Sequence, residues 1–188
     1  MKNAEAGLSV VMAAYKDGKR LAEALPGQLD RLGEALPDWE CILVDDHSPD
    51  NTLDELLALR SSWPDKIRIA SMSRNSGQVA ALSAGIGLAG KKWVLCFDVD
   101  SVTSLTWVPE LMSLARDGRH DLVNWSRGGR LSNGLLRGLV SRAMAWLANR
   151  VTGKPLRDPL SPIKLMERTL ALSILEDRRK GLFPAPLL

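Results

Sequence analysis

The chain has 188 residues, enough for one sizeable core. Its 25 basic and 22 acidic residues leave a formal net charge of +3, too slight a surplus to make nucleic acid the expected partner. Its two cysteines, Cys41 and Cys96, each lie in an apolar run, which argues against a disulfide framework or a Cys/His zinc cluster and predicts buried, reduced thiols.

In chain order, the opening MKNAEAGLSVVMAAYKDG holds only a brief apolar run closed by Lys16 and Asp17, unlike a secretory signal. Strands are predicted at 8–15, 40–46, 66–73, 92–98 and 121–125. Leu21, Leu25, Leu29, Leu32 and Leu36 recur at spacings of three and four, the stripe of an amphipathic helix that Pro26 starts or kinks. Leu53, Leu56 and Leu57 begin a second stripe, with Thr52 and Glu55 at capping-box spacing. Residues 78–90 read as a third helix ending in glycine. Strand–helix alternation of this kind predicts an α/β fold: a mostly parallel, doubly wound sheet flanked by helices.

After residue 126 the pattern changes. RGGR and SNG mark a loop, and 135–151 form a helix with a wide apolar arc edged by arginines. That helix either packs on the core or lies at a membrane interface with Trp146 at headgroup level. A Pro-rich loop at 155–162 precedes another short helix. The division is therefore a core at 1–126 and a second segment at 127–188 of one domain. In the closing RRKGLFPAPLL, Leu182, Phe183 and Leu187 have no later element to pack against, as in a truncated or naturally short form. No run reaches the roughly 18 apolar residues of a membrane-spanning helix. A cytoplasmic chain, peripheral at the membrane, is expected.

In parallel sheets ligands bind beyond the carboxyl ends of the strands. Polar residues collect there: Tyr15 and Asp17, Asp45 and Asp46, Arg74 and Asn75, Asp98 and Asp100. Three motifs compete for the chemistry. GIGLAG (85–90) matches a dinucleotide fingerprint, but it closes a helix and precedes a strand, the inverse of the required context. FDVDSV (97–102) resembles the nucleophile motif of haloacid dehalogenase-like phosphatases, with Asp98 as nucleophile, yet the accompanying acidic pair lies upstream instead of downstream. As a D-x-D, Asp98 and Asp100 offer hard carboxylate oxygens to Mg2+ or Mn2+, and such an ion would neutralise a departing diphosphate.

Five stretches in order resemble the family-2 glycosyltransferases of GT-A fold, and among them the polyprenyl-phosphate (dolichyl-phosphate mannose synthase-like) branch. They are SVVMAAYKD (9–17), VDDHSPDNT (44–52), SRNSGQVAALSAGI (73–86), FDVDS (97–101) and RDPLSPIKLMER (157–168). The resemblance implies that Ala13, Tyr15 and Asp17 line the nucleotide site. Asp46 would accept a hydrogen bond from the base. Asn75, Gly77 and Gln78 would lie beside the phosphates or sugar. Asp98, Val99 and Asp100 would meet the metal and the diphosphate. Arg127, Arg130 and Arg142 are candidates for the acceptor phosphate, Arg127 also for catalysis. Asp158 marks the acceptor-side loop, and Ser161 and Lys164 fall in the tract after it. The sequence departs from the family pattern at Ala13 (proline), Lys16 (asparagine), Asp17 (glutamate), His47 (glycine), Val102 (glutamine) and Pro162 (glycine).

The implied reaction moves a sugar, with inversion, from a nucleotide-diphospho-sugar to a polyprenyl phosphate at the membrane surface. A lipid phosphate is already an anion and needs positioning more than a base. A saccharide hydroxyl acceptor would need a carboxylate base, for which Asp158 is the candidate. A third reading is a nucleotide-sugar-binding module with weak or no turnover. Which nucleotide, sugar and oligomeric state apply is left open at this stage.

Overall fold

The structure, a computed structural model, describes residues 7–97, 99, 105–118, 120–124 and 163–179. Asp98, Asp100, Val102, Arg127, Arg130, Arg142, Asp158 and Ser161 lie outside them, as do the helix expected at 135–151 and the loop at 155–162.

The first strand, β1 (Leu8–Ala14), leads into α1 (Gly18–Ala24) and α2 (Pro26–Ala35). The predicted leucine stripe is thus two helices. Leu25 joins them and Pro26 opens the second, where a missing N–H costs nothing. All five leucines of the stripe are buried. Then come β2 (Trp39–Asp45), α3 (Thr52–Ser62), β3 (Ile67–Ser71), α4 (Gln78–Leu88), β4 (Trp93–Cys96), α5 (Val108–Asp117) and β5 (Leu122–Asn124). The described chain closes with β6 (Lys164–Glu167) and α6 (Arg168–Arg179).

The six strands form one sheet in the order β3-β2-β1-β4-β6-β5. β3, β2, β1 and β4 are parallel, while β6 runs antiparallel between β4 and β5. The sheet is covered on both faces, which is why its central strands read as near-continuous apolar runs. On one face Leu8, Val10 and Met12 pack with the leucines of α1 and α2, with Leu56 of α3 and with Val108 and Leu111 of α5. On the other, Val11, Ile42 and Val94 pack against Ala81, Leu82 and Ile86 of α4 and Ala171 and Leu175 of α6. The thiols of Cys41 and Cys96 are buried within the sheet, and burial pushes both up to about 12, as expected of inert core cysteines.

Three local expectations are corrected. Lys164–Glu167, which the sequence assigns to the short helix after the Pro-rich loop, form β6 instead. It is four residues long and buried on both sides, so it shows no alternation to mark it as a strand. The capping box does not form: Thr52 lies inside α3, and its buried hydroxyl accepts the Gly18 N–H of α1 at 3.2 Å. In the α3 stripe Leu57 is 44% exposed, and the buried positions are Thr52, Leu56 and Leu59.

GIGLAG closes α4, against a dinucleotide role. Its first glycine lets α4 approach the sheet, since a Cβ on Gly85 would overlap Val11 Cγ1 and lie 3.1 Å from Val44 Cγ2. At the amino end of the sheet, Glu40 Oε1 accepts from Ser9 Oγ and the Gly90 N–H, each at 2.6 Å. Lys91 pairs with Asp38 beside it.

Candidate functional site

From β1 the chain winds outward through β2 to β3, then crosses to the other side of β1 for β4. The strand order therefore reverses between β1 and β4, the place where open α/β sheets form ligand crevices beyond their strand ends. A cleft of about 260 Å³ lies there. Ala13, Ala14 and Tyr15 contribute the end of β1, and Asp17 and Arg20 the entry and first turn of α1. Asp46 comes from the end of β2, Gln78 from the start of α4, and Val99 from the residues after β4.

Backbone pairing continues past the strands and sets these positions. The Asp46 N–H donates to Ala14 O at 2.9 Å and the Met72 N–H to Asp45 O at 2.8 Å. Both aspartates are almost fully buried and hold loops with their side chains. Asp45 Oδ1 accepts the Ser48 N–H at 3.1 Å, and Asp45 Oδ2 accepts the Ser71 hydroxyl at 3.3 Å. Asp46 accepts the Ser76 N–H on Oδ1 at 2.8 Å and the Gly77 N–H on Oδ2 at 2.7 Å. Those short, charge-assisted bonds fasten the turn before α4 to the end of β2. Gly77 has φ 87°, a conformation that costs glycine little, and it delivers both its amide and the first turn of α4.

Among the described residues two non-glycines share that left-handed region, Lys16 at φ 60° and His47 at φ 57°. They occupy the loops that follow β1 and β2, which the Lys16 N–H joins by donating to Ser48 Oγ at 3.1 Å. The resemblance had glycine in place of His47 and asparagine in place of Lys16, the residue types that tolerate this conformation best. Lys16 Nζ stands 5.2 Å from the centre of the Tyr15 ring, which is exposed at the cleft mouth. Asp50 ends the same turn, its carboxyl held below the usual carboxylate range chiefly by the Thr52 hydroxyl.

Six of the residues singled out from the sequence line the cleft: Ala13, Tyr15, Asp17, Asp46, Gln78 and Val99. Gly77 stands behind them on the Asp46 carboxylate, and Asn75 is exposed on the same turn without lining the cleft. Lys164 is buried at the start of β6, opposite Cys96. Val99, 7% exposed, packs in the core between the two D-x-D positions. Sequence reading missed Arg20, which belongs to none of the quoted motifs. It also missed Gln28 of α2, whose Oε1 accepts the Leu105 N–H at 3.0 Å just after the D-x-D stretch. No local pattern announces a contact between residues so far apart in the chain.

Residues 9–174 match the family described as Glycosyl transferase family 2. The chain belongs to this family. The assignment removes the phosphatase reading of the D-x-D. Among curated relatives of this glycosyltransferase chain is an undecaprenyl-phosphate 4-deoxy-4-formamido-L-arabinose transferase of Yersinia pestis, 30% identical over 181 residues. The match covers 94% of the present chain and 53% of that relative. The chain thus spans about half the length of the curated relatives it matches. Its fold is shared with a mannosyltransferase from Pyrobaculum calidifontis, solved with GDP-Man and Mn2+, at a TM-score of 0.68 and 16% identity. That likeness covers 98% of this chain and 50% of the other. Glucosyl-3-phosphoglycerate synthase from Mycobacterium tuberculosis, solved with Mn2+, UDP-glucose and phosphoglyceric acid, has a TM-score of 0.67 at 23% identity, covering 95% and 67% of the two chains. Both likenesses establish the GT-A architecture expected from the sequence. No helix among the described residues is long and apolar enough to cross a membrane.

Proposed function

We propose that this glycosyltransferase chain moves one sugar from a nucleotide-diphospho-sugar to a polyprenyl phosphate, with inversion, at the cytoplasmic surface of a membrane. The observation that supports the reading is the cleft at the strand-order reversal, where residues of three sequence-distant motifs meet Val99 of the D-x-D stretch. The undecaprenyl-phosphate acceptor in the names of the curated relatives supports the lipid-phosphate choice.

Ala13, Tyr15 and Asp17 flank the nucleoside and Gln78 the donor's sugar and phosphates, with Asn75 and Gly77 on the supporting turn beside them. Asp46 acts chiefly by fixing the Ser76–Gly77 turn through its two amide bonds. Asp98 and Asp100 would hold Mg2+ or Mn2+. Their hard oxygens suit either ion, and Val99 between them lines the cleft. Among the described residues no group of three His, Cys, Asp or Glu offers a competing metal site. The bound ion supplies charge neutralisation to the leaving diphosphate. Arg127, Arg130 and Arg142 orient the acceptor phosphate. One of its oxygens attacks the anomeric carbon as the bond to the diphosphate breaks, so no proton need be removed.

Incubation with undecaprenyl phosphate and a panel of UDP-, GDP- and dTDP-sugars, with Mn2+ or Mg2+, tests the reading by mass spectrometry of the lipid fraction. A lipid-linked sugar is expected, lost on chelation and in Asp100→Ala. Asp158→Asn retains transfer to the lipid phosphate. Nucleotide binding with no product from any donor refutes the transferase reading, and full activity of Asp100→Ala refutes the metal assignment.

A further inference from the structure

Among the described residues lining the cleft, the charged ones are Asp17, Arg20 and Asp46. Asp46 already bonds the Ser76 and Gly77 amides through both oxygens. Two carboxylates oppose any multiply charged anion entering this space, and Arg20 is the cation that the described lining brings against them. Its position is fixed by the packing of α1. The Gly18 N–H bonds Thr52 Oγ1, and a Cβ on Gly18 would lie 2.6 Å from Thr52 Cα, so α1 sits directly on the start of α3. Leu21 is fully buried on the core side. Residue 20 is about 200° around a helix from residue 18 and about 100° from residue 21. With those two positions seated, Arg20 is turned away from both contacts and toward the cleft.

We propose that Arg20 binds the donor's diphosphate, an assignment that rests on the nucleotide-sugar reading above. Its planar guanidinium matches two phosphoryl oxygens at once and keeps its charge at any pH the fold tolerates. The same contact strengthens as the bond to the sugar breaks and negative charge grows on the departing diphosphate. Arg20 is then a catalytic residue carried by α1, outside the D-x-D motif in the sequence.

The test is calorimetric titration of wild type, Arg20→Gln and Arg20→Lys with UDP and GDP, each compared with uridine and guanosine, at fixed Mn2+. For the diphosphate that wild type binds, Arg20→Gln is expected to lose about tenfold to hundredfold in affinity. Its nucleoside affinity stays unchanged, and Arg20→Lys recovers part of the loss as a point charge. Equal diphosphate affinity in wild type and Arg20→Gln overturns the proposal alone. A parallel fall for diphosphate and nucleoside also overturns it, because it marks a structural ion pair. Failure of wild type to bind either diphosphate removes the nucleotide-sugar reading and this assignment together.

Discussion

Replacing Asp46 with asparagine separates a scaffold role from a ligand role at the heart of the cleft. The carboxylate is 3% exposed and takes one backbone N–H on each oxygen, at 2.8 and 2.7 Å. A carboxamide keeps a single acceptor oxygen and turns an NH2 group toward the other amide. One charge-assisted bond, worth about 1.5–3 kcal/mol, is lost, and a part-buried donor is left facing another donor, at a further cost of about 1 kcal/mol or more. The local loss is therefore about 2.5–4 kcal/mol, and no nucleotide is needed to see it. It should appear first as opening of the turn before α4, because local unfolding is the cheapest escape. Hydrogen exchange of the Ser76 and Gly77 amides in Asp46→Asn should accelerate at least tenfold, with a lower urea midpoint. Unchanged exchange and a stability within about 0.5 kcal/mol of wild type would refute the clamp and return Asp46 to a purely ligand-facing role.

His47→Gly removes a side chain from a left-handed conformation at φ 57° and should stabilise the fold by about 1 kcal/mol, read as a raised melting temperature. Gly85→Ala should do the reverse despite alanine's better helix propensity. Its Cβ overlaps Val11 and crowds Val44, an overpacking cost of about 1–3 kcal/mol measurable by urea denaturation. The carboxyl of Asp50 is depressed in the folded state, mainly by the Thr52 hydroxyl. Its stabilisation is therefore present above the unfolded-state value and lost as pH falls through the lower folded value. Asp50→Asn should flatten the acid limb of a stability–pH curve, and an unaltered limb would contradict that linkage.

Much of the architecture was legible because its central strands are covered on both faces. VVMAA, CILV and WVLC are continuous apolar runs with no alternation to confuse, and the leucines of α1 and α2 recur at helical spacing. β6 escaped because only Leu165 and Met166 of its four residues are apolar, between Lys164 and Glu167. So short a stretch directly before a helix carries too little pattern to be told from that helix's first turn. Of the six lining residues named from the sequence, Ala13, Tyr15, Asp46 and Val99 lie at or just past strand ends, where an apolar run breaks and is easily noticed, while Asp17 opens α1 and Gln78 opens α4. What stayed hidden depends on pairing across the chain. Thr52 has the spacing of a cap, yet its hydroxyl serves an amide 34 positions away. Asp46 reads as a free acceptor until the turn carrying Ser76 and Gly77 is folded over it. Arg20 looks like any surface arginine until Gly18 and Leu21 fix the rotation of α1.

The insertion of β6 between β4 and β5 has a consequence for how members of this family can diverge. Asn124, the last residue of β5, is the register partner of Lys164, the first of β6, and Lys164 also faces Cys96 at the carboxyl end of β4. The chain therefore departs from the sheet and returns to it through a single gateway on the cleft side. The connection from Asn124 to Lys164, residues 125–163, begins and ends at that gateway. Lengthening it adds loop-closure entropy only logarithmically and leaves every strand pairing in place. An insertion at this one port can therefore leave untouched the strand ends that line the cleft.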